Sequence, residues 1–229
     1  VGCTGDMPPL NMTTKTGELI GMEIELAELI ADAMGVKPKF VTMSFADLLP
    51  ALKTGKIDLI ISGMTITAKR NLQVAFVGPY YISGKAFLTK FKTVAAVKNP
   101  SEINNPRTKL ATLKGSTSQD FASNFIPEAM LYTTNGYNDS VQMVIDGKVD
   151  AMLADYPICV VSVFQYPDAG LISLINPLTH EPIGIAAPSK DPLLVNWLQN
   201  YLNYLDETGV LEGMRERWFA HGSWLERLP

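Results

Sequence analysis

Cysteine and histidine are nearly absent from this chain, and each scarcity removes a class of function. Cys3 and Cys159 are the only cysteines in 229 residues, too few for a disulfide framework, and each sits in an apolar stretch where a buried free thiol is expected. Two residues precede Cys3, so it is not expected to be a lipoprotein cysteine. The two histidines, His180 and His221, lack a metal-ligating neighbour at helical or hairpin spacing, which argues against zinc. No Gly-x-Ser-x-Gly elbow, Walker loop or dinucleotide fingerprint occurs, and no cofactor or metal is expected. Nor is there an apolar run of about 18 residues that could span a bilayer. Positive charge is not in excess, with 19 Lys and Arg against 23 Asp and Glu and a formal net charge of -4. A nucleic acid or an anionic membrane is therefore not an expected partner. A signal peptide is missing too. Val1 opens directly into what reads as a strand, so any targeting segment is expected to have been trimmed or to lie outside this chain.

What remains is an ordinary globular balance, 47% apolar and 18% charged, in a length that allows two modest domains. Helix and strand patterns alternate almost throughout, which predicts an α/β fold of mostly parallel strands in doubly wound sheets. Apolar residues at helical spacing predict a helix over Met22 to Met34, stopped by Gly35. A second starts at Ser44 as N-cap and ends at Gly55. Further helices are expected over Leu193 to Leu205 and Leu211 to Phe219.

An internal echo organises the rest. Gly55-Lys56-Ile57-Asp58-Leu59-Ile60-Ile61-Ser62 recurs 92 residues on as Gly147-Lys148-Val149-Asp150-Ala151-Met152-Leu153-Ala154. Both copies follow an amphipathic helix, both read as apolar strands, and both lead to polar residues: Ser62-Gly63 and Asp155. Two similar α/β lobes are the reading, although glycine is also the commonest helix stop. The extended stretches Val74 to Phe91 and Glu181 to Pro188 would carry the chain from one lobe to the other and back. The expected division is residues 1–88 with 185–229 as the first, discontinuous lobe and 89–184 as the second. Open parallel sheets bind ligands beyond the carboxyl ends of their strands, and two such edges facing one another would enclose a cleft.

Three groups at those strand ends could meet a small zwitterion. Arg70 follows the polar loop Ser62 to Thr67, and its planar fork matches a carboxylate in bidentate geometry, with hydroxyls and amides beside it. The run Lys114 to Ser118 follows the strand Lys109 to Leu113 and opens a helix, where free amides and the Ser and Thr hydroxyls favour an anion; ordinary capping would use the same residues. Asp155 ends the second repeat strand, where its carboxylate could receive an ammonium or simply cap the helix that follows. Together they supply an anion clamp and a cation receptor for an α-amino acid, whose two charges lie about 3 Å apart.

The runs Ile60 to Arg70, Ala75-Phe76-Val77-Gly78-Pro79-Tyr80-Tyr81 and Gly21 to Leu26, with Gly115-Ser116-Thr117 and Arg217-Trp218-Phe219, resemble the family 3 extracellular solute-binding proteins, the periplasmic amino-acid receptors of ABC importers. The resemblance covers essentially the whole chain. It implies a periplasmic-binding-protein (Venus-flytrap) fold with two crossovers, an amino-acid ligand, the membrane subunits of an ABC importer as partners, a periplasmic or extracellular location and a monomer. It also implies that Arg70 holds the ligand carboxylate with help from Thr65 and Thr117, that Asp155 holds the ammonium, that Ser62 and Gly63 face the head group through backbone and hydroxyl contacts, and that Phe45 packs on the side chain. Ser118 joins the Thr117 end of that site.

The chain departs from the family's pattern in two places. Met7-Pro8-Pro9-Leu10 stands where an aromatic residue often faces the ligand, and Thr4 stands where receptors for basic amino acids often carry a carboxylate. Thr4, Met7, Phe45 and Leu113 therefore point to an uncharged or apolar side-chain pocket, unless Asp6 or Glu181 lies close. Two other functions compete with this one. Thr4-Gly5-Asp6 and Gly84-Lys85 are similar to a branch of cyclohexadienyl dehydratases, but Tyr156-Pro157-Ile158 offers no acid to protonate a leaving hydroxyl. The same fold also serves as the ligand sensor of membrane receptors, though nothing after His221 reads as a membrane helix. A free-standing receptor that is not an enzyme is the expectation.

Overall fold

Glycine closes the helices of both repeats in the same way. In the computed structural model, which describes residues 1–174 and 176–229, Gly55 and Gly147 have φ of +73° and +68°. The following amides, Lys56 and Lys148, each reach back five residues to a helix carbonyl, Ala51 O and Met143 O, both at 2.9 Å. This is the six-to-one closure that a left-handed C-terminal residue permits, and glycine reaches that φ without the Cβ penalty. Past this shared stop the copies differ. The second runs on as a full strand, Ala151–Asp155. The first, expected as a strand over Ile57 to Ile61, is reduced to ladder bonds about Ile60, which bridges Gly2 on one side and Ala186 on the other.

The chain forms two compact units, Val1–Ile82 with Pro182–Pro229, and Ser83–Glu181. Residues 85–88, expected at the end of the first lobe, lie in a strand of the second unit's sheet. Lys85–Thr89 pairs there along its whole length with Ala151–Asp155. A strand held on that ladder cannot belong to the other lobe, so the crossing falls before it.

The first unit is built on the apolar faces that the periodicity marks. Helix Met22–Ala33 buries Met22, Ile24, Leu26, Ala27 and Ile30. Helix Phe45–Lys53 buries Phe45, Leu48 and Leu52. The C-terminal helices Pro192–Glu207 and Val210–Arg215 complete this unit, placing Leu198, Leu202, Leu205, Leu211 and Met214 in one core with Leu26, Ile30, Val77, Tyr80 and Ile185. Fully burying each aliphatic side chain of this size contributes roughly 1.5–3 kcal/mol. Directional bonds fix the docking. Tyr201 donates to Leu29 O at 3.2 Å, and the Trp218 indole donates to Glu25 Oε2 at 2.8 Å. The helix expected to reach Phe219 loosens into a wider turn over Glu216–Ala220. The extended stretches become strands Ala75–Ser83 and Glu181–Ala187, which pair with each other.

The second unit has one five-stranded sheet, ordered Ile172–Ser173, Lys85–Thr89, Ala151–Asp155, Lys109–Leu113, Met130–Thr134. The last three are parallel and the first two pairings antiparallel. Helices Thr117–Phe125 and Tyr137–Ile145 connect the parallel strands, and Tyr156–Gln165 follows the last of them and precedes the edge strand Ile172–Ser173. Because Ala151 faces Leu110 in the parallel register, Asp155 emerges at the same carboxyl edge as the turn after Leu113. That is the edge where open sheets bind ligands.

Candidate functional site

In the first unit the polar loop folds back so that Arg70 is enclosed. Thr67 caps the short helix Ala68–Asn71 and accepts the Arg70 amide at 3.2 Å. The guanidinium donates through Nη1 to Thr65 O at 3.0 Å, and its carbon lies 5.5 Å from the centre of the Phe45 ring. A cation over an aromatic face is held by the ring's negative quadrupole. Arg70 is only 7% exposed, so it is not an ordinary surface arginine. Arg70, Thr65 and Phe45 thus form one group.

Thr4, Met7, Ser62 and Gly63 form a second group in the same unit. The Thr4 amide donates to Ser62 Oγ at 3.0 Å, and the Thr4 hydroxyl donates to Asn11 Oδ1 at 3.1 Å. The Ser62 hydroxyl lies 3.7 Å from Met7 Sδ. Gly63 has φ +57°, a conformation that favours glycine, while a Cβ there would meet only the movable tip of the Met7 side chain. Its amide is donated inward, to Glu23 Oε1 at 2.6 Å. The Gly63 N–H, expected among the groups facing a ligand head group, is occupied within the unit.

Glu23 is the residue that sequence reasoning missed here. It is fully buried and accepts from Gly63, from Asn11 Nδ2 at 2.5 Å and from the Tyr80 hydroxyl. Burial, with Glu23 beside it, raises the Tyr80 phenol well above its ordinary range, so Tyr80 stays protonated and able to donate. The available signal was a carboxylate between Met22 and Ile24 on the apolar face of a helix. A glutamate in a first turn is more readily read as a partner of the helix dipole.

In the second unit Asp155 sits where the repeat places it, at the end of its strand and at the N-cap of helix Tyr156–Gln165. Its side chain makes no cap hydrogen bond. The carboxylate is used elsewhere: Oδ1 accepts from Lys85 Nζ at 3.0 Å and Ser83 Oγ at 3.3 Å, and Oδ2 from the Tyr137 hydroxyl at 3.2 Å. Lys85 is 1% exposed and lies 3.9 Å from Glu181 Oε2 as well. Charges this deeply buried are expected to be paired. Lys85, Ser83, Tyr137 and Glu181 fall outside the expected site residues; in the sequence Lys85 stands out only in the Gly84-Lys85 pair of another resemblance, and Glu181 only as a possible close neighbour.

The turn after Leu113 is more closed than its sequence suggests. Ser116 caps the helix, accepting the Gln119 amide at 3.2 Å and donating to Leu113 O at 2.7 Å. The Gly115 amide goes to Gln119 Oε1 at 2.8 Å. Thr117 opens the helix, Leu113 is buried in its strand, and the buried Ser118 hydroxyl has no hydrogen-bond partner among the described residues. Among the described residues, no cluster of three or more His, Cys, Asp or Glu could hold a metal ion, and no helix is long and apolar enough to cross a membrane.

A two-unit α/β chain with a buried arginine on one unit and a buried aspartate at a strand end of the other has the architecture of the periplasmic-binding-protein fold, two doubly wound lobes joined by two crossovers. The chain belongs to the bacterial extracellular solute-binding proteins, family 3, whose pattern it matches over residues 1–221. A solved structure of a putative ABC-transporter binding component from Wolinella succinogenes, complexed with lysine, is 37% identical, covers 98% of this chain and 97% of its own, and superposes with a TM-score of 0.92. The arginine-binding periplasmic protein of Mannheimia haemolytica is 28% identical over 93% of this chain and 87% of its own length. The cyclohexadienyl dehydratase of Pseudomonas aeruginosa is 23% identical over 96% and 82% respectively.

Proposed function

We propose that this protein binds a free amino acid outside the cytoplasm and delivers it to the membrane subunits of an ABC importer, acting as a monomer and without chemistry of its own. Each unit carries groups of its own for this ligand. On the first, Arg70 and Thr65 receive the α-carboxylate and Phe45 covers the side chain, with Thr4 and Met7 beside it. On the second, Asp155 receives the α-ammonium, with Leu113, Thr117 and Ser118 at the neighbouring strand end. The observation that carries this reading is Arg70: an enclosed guanidinium resting on Phe45 is held ready for a planar anion, whereas a solvated arginine would present no fixed fork.

The reading keeps an uncharged side chain as the preferred ligand feature. Thr4, Met7 and Phe45 present no carboxylate of their own, and Lys85 adds a positive charge beside Asp155. The lysine and arginine in the names of two relatives favour a basic ligand instead. Asp6, next to Met7, and Glu181, 3.9 Å from Lys85, are the carboxylates in this chain that would serve such a ligand.

Delivery rather than catalysis is supported by the residues after Asp155. Tyr156, Pro157 and Ile158 open a helix and supply no carboxylic acid to protonate a leaving hydroxyl.

Isothermal titration with the twenty amino acids, with citrulline as the uncharged counterpart of arginine, and with prephenate tests the proposal. Saturable binding of an uncharged amino acid supports it. Preference for arginine over citrulline would replace the side-chain assignment. Turnover of prephenate would replace delivery by catalysis.

A further inference from the structure

Asp155 is not alone at its strand end. In the antiparallel ladder its cross-strand partner is Lys85, whose ammonium lies 3.0 Å from Asp155 Oδ1 and 3.9 Å from Glu181 Oε2. Thr179 holds the third member in place. Its hydroxyl donates to Glu181 Oε1 at 3.1 Å, and Thr179 Oγ1 itself accepts the Lys85 amide at 2.9 Å. The three charged side chains are 1%, 7% and 13% exposed, so solvent does little to screen them. Two carboxylates and one ammonium leave the cluster with one net negative charge.

Asp155 has acceptor capacity to spare. A carboxylate offers about four lone-pair sites, and Lys85, Ser83 and Tyr137 occupy three of them. One site and one uncompensated charge are what a single ammonium group needs. A second positive charge would meet Lys85 with no further carboxylate in the cluster to offset it.

We infer that Lys85 and Glu181 are specificity-determining residues that set the charge of the ammonium seat: Glu181 supplies the net negative charge that draws one cation, and Lys85 limits the seat to one. This rests on the reading that Asp155 receives the ligand's α-ammonium. Lys85 then acts as a brake on affinity for positively charged ligands, and Glu181 as its counterweight.

The test compares the unaltered protein with Lys85→Met and Glu181→Gln. Calorimetry measures Kd for the twenty amino acids, for citrulline, and for 2-hydroxy-4-methylpentanoate and phenyllactate, which carry the leucine and phenylalanine side chains without an ammonium. Lys85→Met is expected to tighten amino-acid binding about tenfold or more, most for arginine and lysine, and not to tighten the hydroxy acids, which bring only a carboxylate. Glu181→Gln keeps the Lys85–Asp155 pair and is expected to weaken amino acids about tenfold without weakening the hydroxy acids, so the inference stays testable if Lys85→Met does not fold.

Unchanged Kd values for amino acids in both folded variants, or equal changes for amino and hydroxy acids, would overturn the inference and leave amino-acid binding standing. If the unaltered protein binds no amino acid, the proposed function itself falls, and the charge assignment with it.

Discussion

Lys85 Nζ lies 3.0 Å from Asp155 Oδ1, and the two residues face each other across adjacent antiparallel strands. Seventy positions apart in sequence, they form a buried ion pair at the carboxyl end of a parallel strand. Breaking a buried pair by removing one partner leaves an uncompensated charge, a loss of about 3–5 kcal/mol. Lys85→Met should therefore lower the urea-unfolding free energy by about that amount. Glu181→Gln, which removes a carboxylate farther from Lys85, at 3.9 Å against 3.0 Å, should cost less. Equal losses for the two variants would contradict the geometry.

Arg70→Ala should weaken ligand binding by roughly 2–5 kcal/mol, because the ligand carboxylate is left without its charged partner in a desolvated place. Arg70→Lys keeps the charge but loses the planar fork and its stacking on Phe45, so it should fall between the two. Calorimetric Kd values for the three proteins decide the matter. An Arg70→Ala protein that binds as tightly as its parent removes Arg70 from the site.

Glu23→Gln should destabilise the first unit without touching charge at the surface. The amide keeps one acceptor oxygen but turns an N–H₂ toward donors that now find a carboxylate. Hydrogen bonds to a charged group are worth about 1.5–3 kcal/mol each, and a loss of at least about 2 kcal/mol in urea unfolding is expected. Because Glu23 fixes the Gly63 amide, Kd should rise as well. Unchanged stability would show that the Glu23 network does not hold the loop.

Alkaline pH should destabilise the fold through its thiols. Burial, then the nearby Glu23, pushes Cys3 up to about 12, and burial, then Asp155, raises Cys159 further. An unfolded thiol ionises near about 8.5. Above that pH the unfolded chain holds fewer protons than the native one, so stability falls as pH rises. The contribution is fully present below about 8.5 and is lost between there and the folded values, by at most about 1.4 kcal/mol per pH unit for each thiol. Tm measured from pH 7.5 to 10.5 should be level at first and then decline. Cys3→Ala should flatten the decline, and a profile that is flat without that change would contradict the assignment.

Local and periodic features were legible in the sequence because they rest on short-range physics. The alternation of helices and strands, the two repeat glycines and the position of Asp155 at a strand end all follow from patterns within a few residues. Arg70 could be singled out because its loop follows an apolar run. Lys85 could not be placed against Asp155, since their contact depends on which strand lies beside which. Glu23 was hidden because its partners, Asn11, Gly63 and Tyr80, converge from three separate segments. The strand over Ile57 to Ile61 was over-read for a related reason. An apolar run shows that a segment is buried, while the ladder depends on neighbours that a run does not name.

The central claim is that an amino acid binds to this chain, and a thermal-shift screen of the purified protein against the twenty amino acids, both hands of the apolar ones, and simple organic acids tests it most directly. A ligand at about 1,000 times its Kd adds roughly 4 kcal/mol to the bound state, which for a chain of this size is a rise of roughly 8–16 °C. The account predicts a rise of that size with at least one uncharged amino acid. No rise with any amino acid, or a rise only with organic acids that lack an ammonium, would contradict it.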